Sequence, residues 1–164
     1  GLQSPYSRII FGLSIGDIIQ SLGILLGVFA VPRDTPESPM ALGNQATCNY
    51  AGFLLLGGIL VTIFYLLFLI YFFWRRVKHK VSPQKFAYGE ERYLHILCWV
   101  LSFAYTTVAV VSKAVNPTRY GSTCVVTSKP FGCGVGQEDD EDYLECTRGE
   151  VSGPKMARIL GIIL

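Results

Sequence analysis

Charge is scarce in this sequence and missing from whole stretches of it. Charged residues make up 16% of the chain, whereas soluble domains carry about 25%. Residues 49–73 contain no Asp, Glu, Lys, Arg or His. A soluble helix needs a polar face, and this run has apolar or small side chains all round. The composition therefore argues against a soluble core and predicts membrane insertion.

Histidine is also scarce, and the two present, His79 and His95, are isolated from each other. The two are not at metal-ligand spacing from each other, so we do not expect them to form a metal site. We interpret His79 as part of a basic face and His95 as a residue at a membrane boundary. No nucleophile and base stand at a recognisable spacing. We predict that the chain is not an enzyme, has no cofactor and does not bind nucleic acid.

Long apolar runs are what the sequence has in place of charge. A helix over 49–73 would rise about 37 Å, enough to cross a hydrocarbon core of about 30 Å with some tilt. Two further runs, 9–32 and 93–112, contain one Asp, Glu, Lys, Arg or His each, and a fourth, about 156–164, is short. We expect an all-α membrane helix bundle with three full transmembrane helices and the start of a fourth, as part of a larger protein.

Basic residues set the expected orientation. Segment 74–92 contains two Glu and six basic residues, namely Arg75, Arg76, Lys78, Lys80, Lys85 and Arg92. Short loops rich in Lys and Arg stay in the cytoplasm, so we predict that 74–92 is cytoplasmic and that 33–47 and 113–155 are extracellular. The expected location is the plasma membrane, with lipid around the helices.

Four of the five cysteines, Cys48, Cys124, Cys133 and Cys146, lie in or beside the predicted outer loops, while Cys98 lies inside an apolar run. Disulfides persist in the oxidising space outside the cell. Four cysteines allow three pairings, which sequence alone does not distinguish. We favour Cys48 with Cys124, which would tie run 49–73 to the loop after run 93–112. We also favour Cys133 with Cys146, which would close a small hairpin. Free thiols are the alternative.

Small residues line one side of run 9–32, the first in the chain. At 100° per residue, four glycines fall within a stripe of about 60°, namely Gly12, Gly16, Gly23 and Gly27. Helices inside lipid associate through such small-residue faces, because their backbones approach closely there. We therefore expect this face to contact a neighbouring helix.

Asp17 is the only charged residue of the first run. Near the membrane midplane a carboxylate costs about 2.5 to 3.5 kcal/mol on insertion scales unless it is paired or protonated. Gln20 lies one turn away, and Thr62 is expected at similar depth in the second run. These three residues predict a polar cluster, which is either an ion and water site coupled to a conformational change or a purely structural set of hydrogen bonds.

Several stretches together resemble part of a seven-transmembrane receptor. They are "RIIFGLSIGDIIQSLG", "VPRDTP", "ALGNQATCNYAGFLLLGG", "ILCWVLSFAYTTVAVV" and "NPTRYGSTC". They look like the second to fourth helices of G-protein-coupled-receptor-like proteins of diatoms and related algae, which are loosely similar to rhodopsin-type and cyclic-AMP-type receptors. The resemblance covers residues 1 to about 125 and implies that chain 1–164 is a partial receptor-like domain of about helices two to five.

The resemblance implies roles for individual residues. Asp17 and Thr62 match the carboxylate and hydroxyl positions of a sodium and water cluster. Cys48 matches the outer end of the third helix, and Cys124 matches its disulfide partner. Trp99 matches the packing tryptophan of the fourth helix.

The resemblance also implies a function, in which an extracellular ligand acts on the bundle and a heterotrimeric G protein meets basic segment 74–92. One departure is the missing Asp-Arg-Tyr-like triplet, since Arg75 and Arg76 have no acidic neighbour before them. The alternatives are a four-span scaffold or adhesion protein of the tetraspanin or claudin type, and a transporter fragment that uses Asp17 as an ion relay. Seven, four, or ten or more spans in the complete reading frame would separate these three classes.

Overall fold

The computed structural model describes residues 3–33, 35, 40–118, 123–130, 133 and 146–149. Three helices in this part of the chain are long and apolar enough to cross a membrane, and each overlaps one of the predicted runs. The first two are α1 (Pro5–Ala30) and α2 (Gln45–His79). The third consists of α3 (Pro83–Phe86), a π-helical turn (Ala87–Glu91) and α4 (Arg92–Val111).

Local sequence explains where the first two helices end and begin. Helix α1 stops at Ala30, two residues before the end of the predicted run, because Val31 precedes Pro32 and is extended. Helix α2 begins after Asn44, whose side chain accepts hydrogen bonds from two backbone amides. The Thr47 hydroxyl accepts a return bond of 2.8 Å from the Asn44 amide. This capping box satisfies donors that the first helical turn leaves free.

Helices α1 and α2 pack closely along the glycine stripe, as predicted. All four stripe glycines are buried. A Cβ atom added at Gly23 would clash with the backbone of Leu55, and one added at Gly58 of α2 would clash with the backbone of Gln20. Glycine on both helices therefore lets the two backbones approach each other.

The all-α expectation missed a small sheet in the predicted outer loop 113–155. Strand β1 (Val115–Pro117) pairs antiparallel with strand β2 (Cys124–Val126). Three-residue strands are too short to show the alternating pattern that identifies a strand in sequence. The hairpin packs on the start of α2, where a Cβ atom at Gly52 would lie 2.5 Å from the Val115 side chain.

Both favoured disulfides are formed in the structure. Cys48 bonds Cys124 and Cys133 bonds Cys146, while Cys98 is a buried free thiol. The first disulfide joins the start of α2 to strand β2. The predicted fourth span, about 156–164, lies outside the described residues.

Candidate functional site

Polar contacts occur at three levels along the helices: the end near Cys48, the middle, and the end near Arg75. We refer to these two ends as the disulfide end and the basic end. Each level joins at least two elements that are distant in sequence.

In the middle, Asp17 and Thr62 meet. Asp17 is the thirteenth residue of α1 and Thr62 the eighteenth of α2, so both stand halfway along their helices. The Thr62 hydroxyl donates a hydrogen bond of 2.9 Å to Asp17 Oδ1. Gly16 brings the helices together here, since a Cβ atom on it would lie 2.9 Å from Thr62 Oγ1. Gln20 makes no hydrogen bond to either residue, so the described cluster is a pair.

The Asp17 and Thr62 oxygens are of the type that small hard cations bind. Such cations take several oxygen ligands, and this pair supplies two side-chain oxygens. No group of three or more His, Cys, Asp or Glu lies together among the described residues. The pair therefore fits part of a sodium and water cluster in its chemistry, and other groups or water would have to complete the ligand set.

At the basic end, Arg75 finds the acidic partner that its own helix lacks. Its guanidinium binds both carboxylate oxygens of Glu90 in the π-helical turn, with Nε 3.1 Å from Oε2. The Tyr71 hydroxyl donates a further hydrogen bond of 2.7 Å to Glu90 Oε2. Glu90 precedes the apolar span, and the hydrogen bond from Arg75 holds the pKa of Glu90 below its ordinary value. This contact fastens the last turns of α2 to the segment that enters α4.

A second set of polar contacts runs from the basic end into the packed helices. Arg8 of α1 donates to both oxygens of Glu91, at 2.6 and 2.7 Å. His95 Nε2 lies 3.5 Å from Glu91 Oε1, and His95 Nδ1 lies 2.7 Å from the Tyr65 hydroxyl. Trp99 Nε1 donates to the same hydroxyl at 3.0 Å. Five side chains from all three long helices are thus connected.

Burial makes this second set of contacts costly to disturb. Glu91 is 4% exposed and Tyr65 is 1% exposed. Trp99 stacks on Phe103 at 5.6 Å and meets Tyr65 edge-on, so it packs between helices. A buried polar group without a hydrogen-bond partner destabilises the folded state, and each of these groups has at least one partner.

At the disulfide end, polar contacts hold the hairpin together. Cys48 is fully buried beneath the sheet. The Asn116 side chain donates to the backbone carbonyls of Lys113 and Thr127, at 3.1 and 2.7 Å. Arg148 donates to the Asn116 side-chain oxygen at 3.0 Å, which joins the segment of the second disulfide to the hairpin.

Sequence reasoning identified some of these contacts and missed others. It paired Asp17 with Thr62, but it treated His95 as an isolated boundary residue. The structure instead joins His95 to α2 through Tyr65 and to α1 through Glu91. The available signal was a Glu four residues before a His on one helix, at the spacing that places both on one face.

Comparison with known proteins adds no relative. No protein-family model, curated protein or solved structure matches this chain. Function is therefore argued from the contacts described above.

Proposed function

We propose that this chain is part of a receptor-like membrane bundle that passes a conformational signal from an outer ligand to a cytoplasmic partner. The observation that carries the proposal is the continuity of α2, which spans 35 residues without a break. Near its start Cys48 is bonded to the hairpin, and near its end Arg75 is bonded to Glu90. About 40 Å of helix separates these two residues at 1.5 Å per residue. Because a continuous helix is stiff, a movement of the hairpin attached near its start would also move the Glu90 contact near its end.

On the outer side, we assign ligand contact to the hairpin and to a neighbouring groove. The groove lies between the end of α1 and the start of α2, encloses about 320 Å³ and is mainly apolar. Its walls include Leu26, Phe29, Leu42 and Tyr50. Apolar walls with few polar groups are typical of small-molecule sites. A ligand seated there would press on the turn that the Cys48–Cys124 disulfide holds.

On the inner side, we assign partner binding to the basic segment 74–92. Lys78, Lys80 and Lys85 are exposed in this segment, and Arg76 is exposed over the Phe72 ring. An acidic protein surface would be attracted to this segment, and a heterotrimeric G protein is the proposed partner. In this proposal the Arg75–Glu90 contact replaces the missing Asp-Arg-Tyr-like triplet. Its acidic residue follows the arginine in sequence instead of preceding it.

In the middle, we assign the Asp17–Thr62 pair a role in the balance between two packings of α1 on α2. A carboxylate inside a membrane is costly without a partner, so its contacts differ in energy between packings. The same pair would be the place where sodium and water act on the bundle.

The test uses the full-length protein in lipid nanodiscs and a purified heterotrimeric G protein, with binding measured by interferometry. The double variant Lys78→Glu/Lys80→Glu should weaken binding by about tenfold or more, because it places negative charge against an acidic partner. The matched control, Lys113→Glu/Lys129→Glu, makes the same charge change at the disulfide end and should leave binding unchanged. No binding by the wild type, or equal loss in both variants, would reject the proposal.

A further inference from the structure

When the His95 ring is neutral, the hydrogen-bonding chemistry of Trp99, Tyr65 and His95 favours one arrangement of their protons. An indole N–H only donates, so Tyr65 accepts the bond from Trp99 at 3.0 Å. Tyr65 has one proton of its own, and the acceptor within reach is His95 Nδ1 at 2.7 Å. His95 Nδ1 is therefore unprotonated in this arrangement. The ring proton then sits on Nε2, which faces Glu91 Oε1 at 3.5 Å.

We propose that His95 is a proton-binding site whose occupancy changes the contacts between α2 and α4. Protonation places a hydrogen on Nδ1, which must then donate to the Tyr65 hydroxyl. Tyr65 would accept from both Trp99 and His95, and its own proton would lose its acceptor. Since Tyr65 is 1% exposed, that proton has no water to turn to, and an unsatisfied buried donor is unfavourable. The two protonation states therefore favour different packings of Tyr65.

Charged and titratable groups from each packed element bear on His95. Glu91 in the π-helical turn lies 3.5 Å from His95 Nε2. Arg8 of α1 matches the Glu91 charge with two hydrogen bonds. From α2 the ring faces Tyr65 and the Phe68 edge, at 5.4 and 5.1 Å between centroids. The Cys98 thiol of α4 is buried beside Tyr65. Protonation thus adds a net positive charge beside the Tyr65 and Phe68 rings.

The π-helical turn gives this site its connection to the other helices. Glu90 and Glu91 are adjacent, yet Glu90 binds Arg75 of α2 and Glu91 binds Arg8 of α1. Single π-helical turns occur often at functional sites. A proton on His95 acts on Glu91 directly and so reaches all three long helices. This inference depends on these contacts alone and stands whether or not the protein is a receptor.

The first test is nuclear magnetic resonance of the full-length protein in nanodiscs with labelled histidine. Within chain 1–164 the histidines are His79 and His95, and a single substitution of each assigns its signal. At neutral pH His95 should show the tautomer protonated on Nε2. A His95 signal protonated on Nδ1, or a histidine that stays uncharged at pH values below about 5, would overturn the proposal.

The second test follows Trp99 fluorescence between about pH 5 and about pH 8 in a Trp74→Phe background. This change removes the other tryptophan of residues 1–164, which packs against His79 at 4.6 Å. The wild-type background should show a pH transition, His95→Gln should lose it, and the matched control His79→Gln should keep it. A transition that survives in His95→Gln would overturn the proposal.

Discussion

Glu90 and Glu91 illustrate how neighbouring residues take different roles. Both precede the apolar part of α4, and sequence analysis treated them only as the acidic minority of a basic segment. In the structure each binds an arginine on a different helix, because adjacent residues of a helix point about 100° apart. Single substitutions at these positions therefore test contacts between helices.

Acid should weaken the Arg75–Glu90 contact. The pKa of Glu90 is lower in the folded protein than its ordinary value of 4.5, because Arg75 hydrogen-bonds the carboxylate. The stabilisation is complete above the unfolded value and is lost as the pH falls through the folded value. The Tm of the full-length protein in detergent should therefore fall between about pH 6 and about pH 3.

Glu90→Gln is the control for this acid effect, since the amide keeps the shape of the side chain without its charge. Its Tm should depend less on pH, while the dependence due to Glu91 remains. Parallel pH curves for the wild type and Glu90→Gln would show that the ion pair contributes nothing to stability.

Substitutions at Asp17 distinguish two roles for its carboxylate, namely an ion-sensitive switch and a purely structural hydrogen bond. Asp17→Asn should fold normally, because the amide oxygen still accepts the hydrogen bond from Thr62. If the Asp17 charge responds to sodium, this variant should lose the sodium-dependent shift in Tm. Asp17→Leu should cost about 1 kcal/mol of helix association, the scale of hydrogen bonds in membranes. Melting is compared in sodium chloride and in potassium chloride at equal ionic strength. A wild type without a sodium-dependent shift would leave Asp17 as a packing residue.

The packing of α1 against α2 depends on glycine at particular positions rather than on glycine in general. Gly57 and Gly58 are adjacent on α2 but face different surroundings. An added Cβ atom at Gly57 would lie 3.5 Å from Phe103, an ordinary contact, whereas at Gly58 it would clash with the Gln20 backbone. The pair therefore offers a matched comparison within one helix.

Gly58→Ala should destabilise the protein by about 1 to 3 kcal/mol, the range for overpacking against groups that cannot move away. Gly57→Ala should be neutral or slightly stabilising, because both substitutions gain the same helix propensity and only one meets a backbone. Denaturation in mixed detergent measures both variants. Equal stabilities would mean that the two helices do not approach as closely as described.

At the level of the complete chain, the two disulfides constrain it to different extents. Cys48–Cys124 joins residues 76 apart in sequence and ties the hairpin to α2, whereas Cys133–Cys146 joins residues 13 apart. Closing a longer loop removes more entropy from the unfolded chain. In the chain-entropy relation the two bonds contribute about 4.5 and about 3 kcal/mol.

The variant Cys48→Ala/Cys124→Ala should therefore lose more stability than the matched variant Cys133→Ala/Cys146→Ala, by about 1.5 kcal/mol. The first variant should also loosen the hairpin, which hydrogen exchange at the β1 and β2 amides would detect. Equal losses of stability, or unchanged exchange in the first variant, would contradict this account of the outer loop.

The sequence by itself determined the three apolar helices, the glycine face and which four cysteines lie in or beside the outer loops. Each is a local property: an uncharged run, a 100° periodicity, or a position beside a predicted loop. Asp17 and Thr62 were paired correctly because both stand halfway along helices whose lengths composition sets. Contacts that follow from depth and helix face are readable without a structure.

Only the tertiary structure decided the other contacts between distant side chains. Arg8 and Glu91 are 83 residues apart, and the Tyr65–His95 hydrogen bond spans 30 residues. Such pairs depend on the rotation of each helix about its axis and on a π-helical turn that no local pattern announces. The hairpin likewise forms because the Cys48–Cys124 disulfide and packing on α2 hold two strands too short to be stable alone.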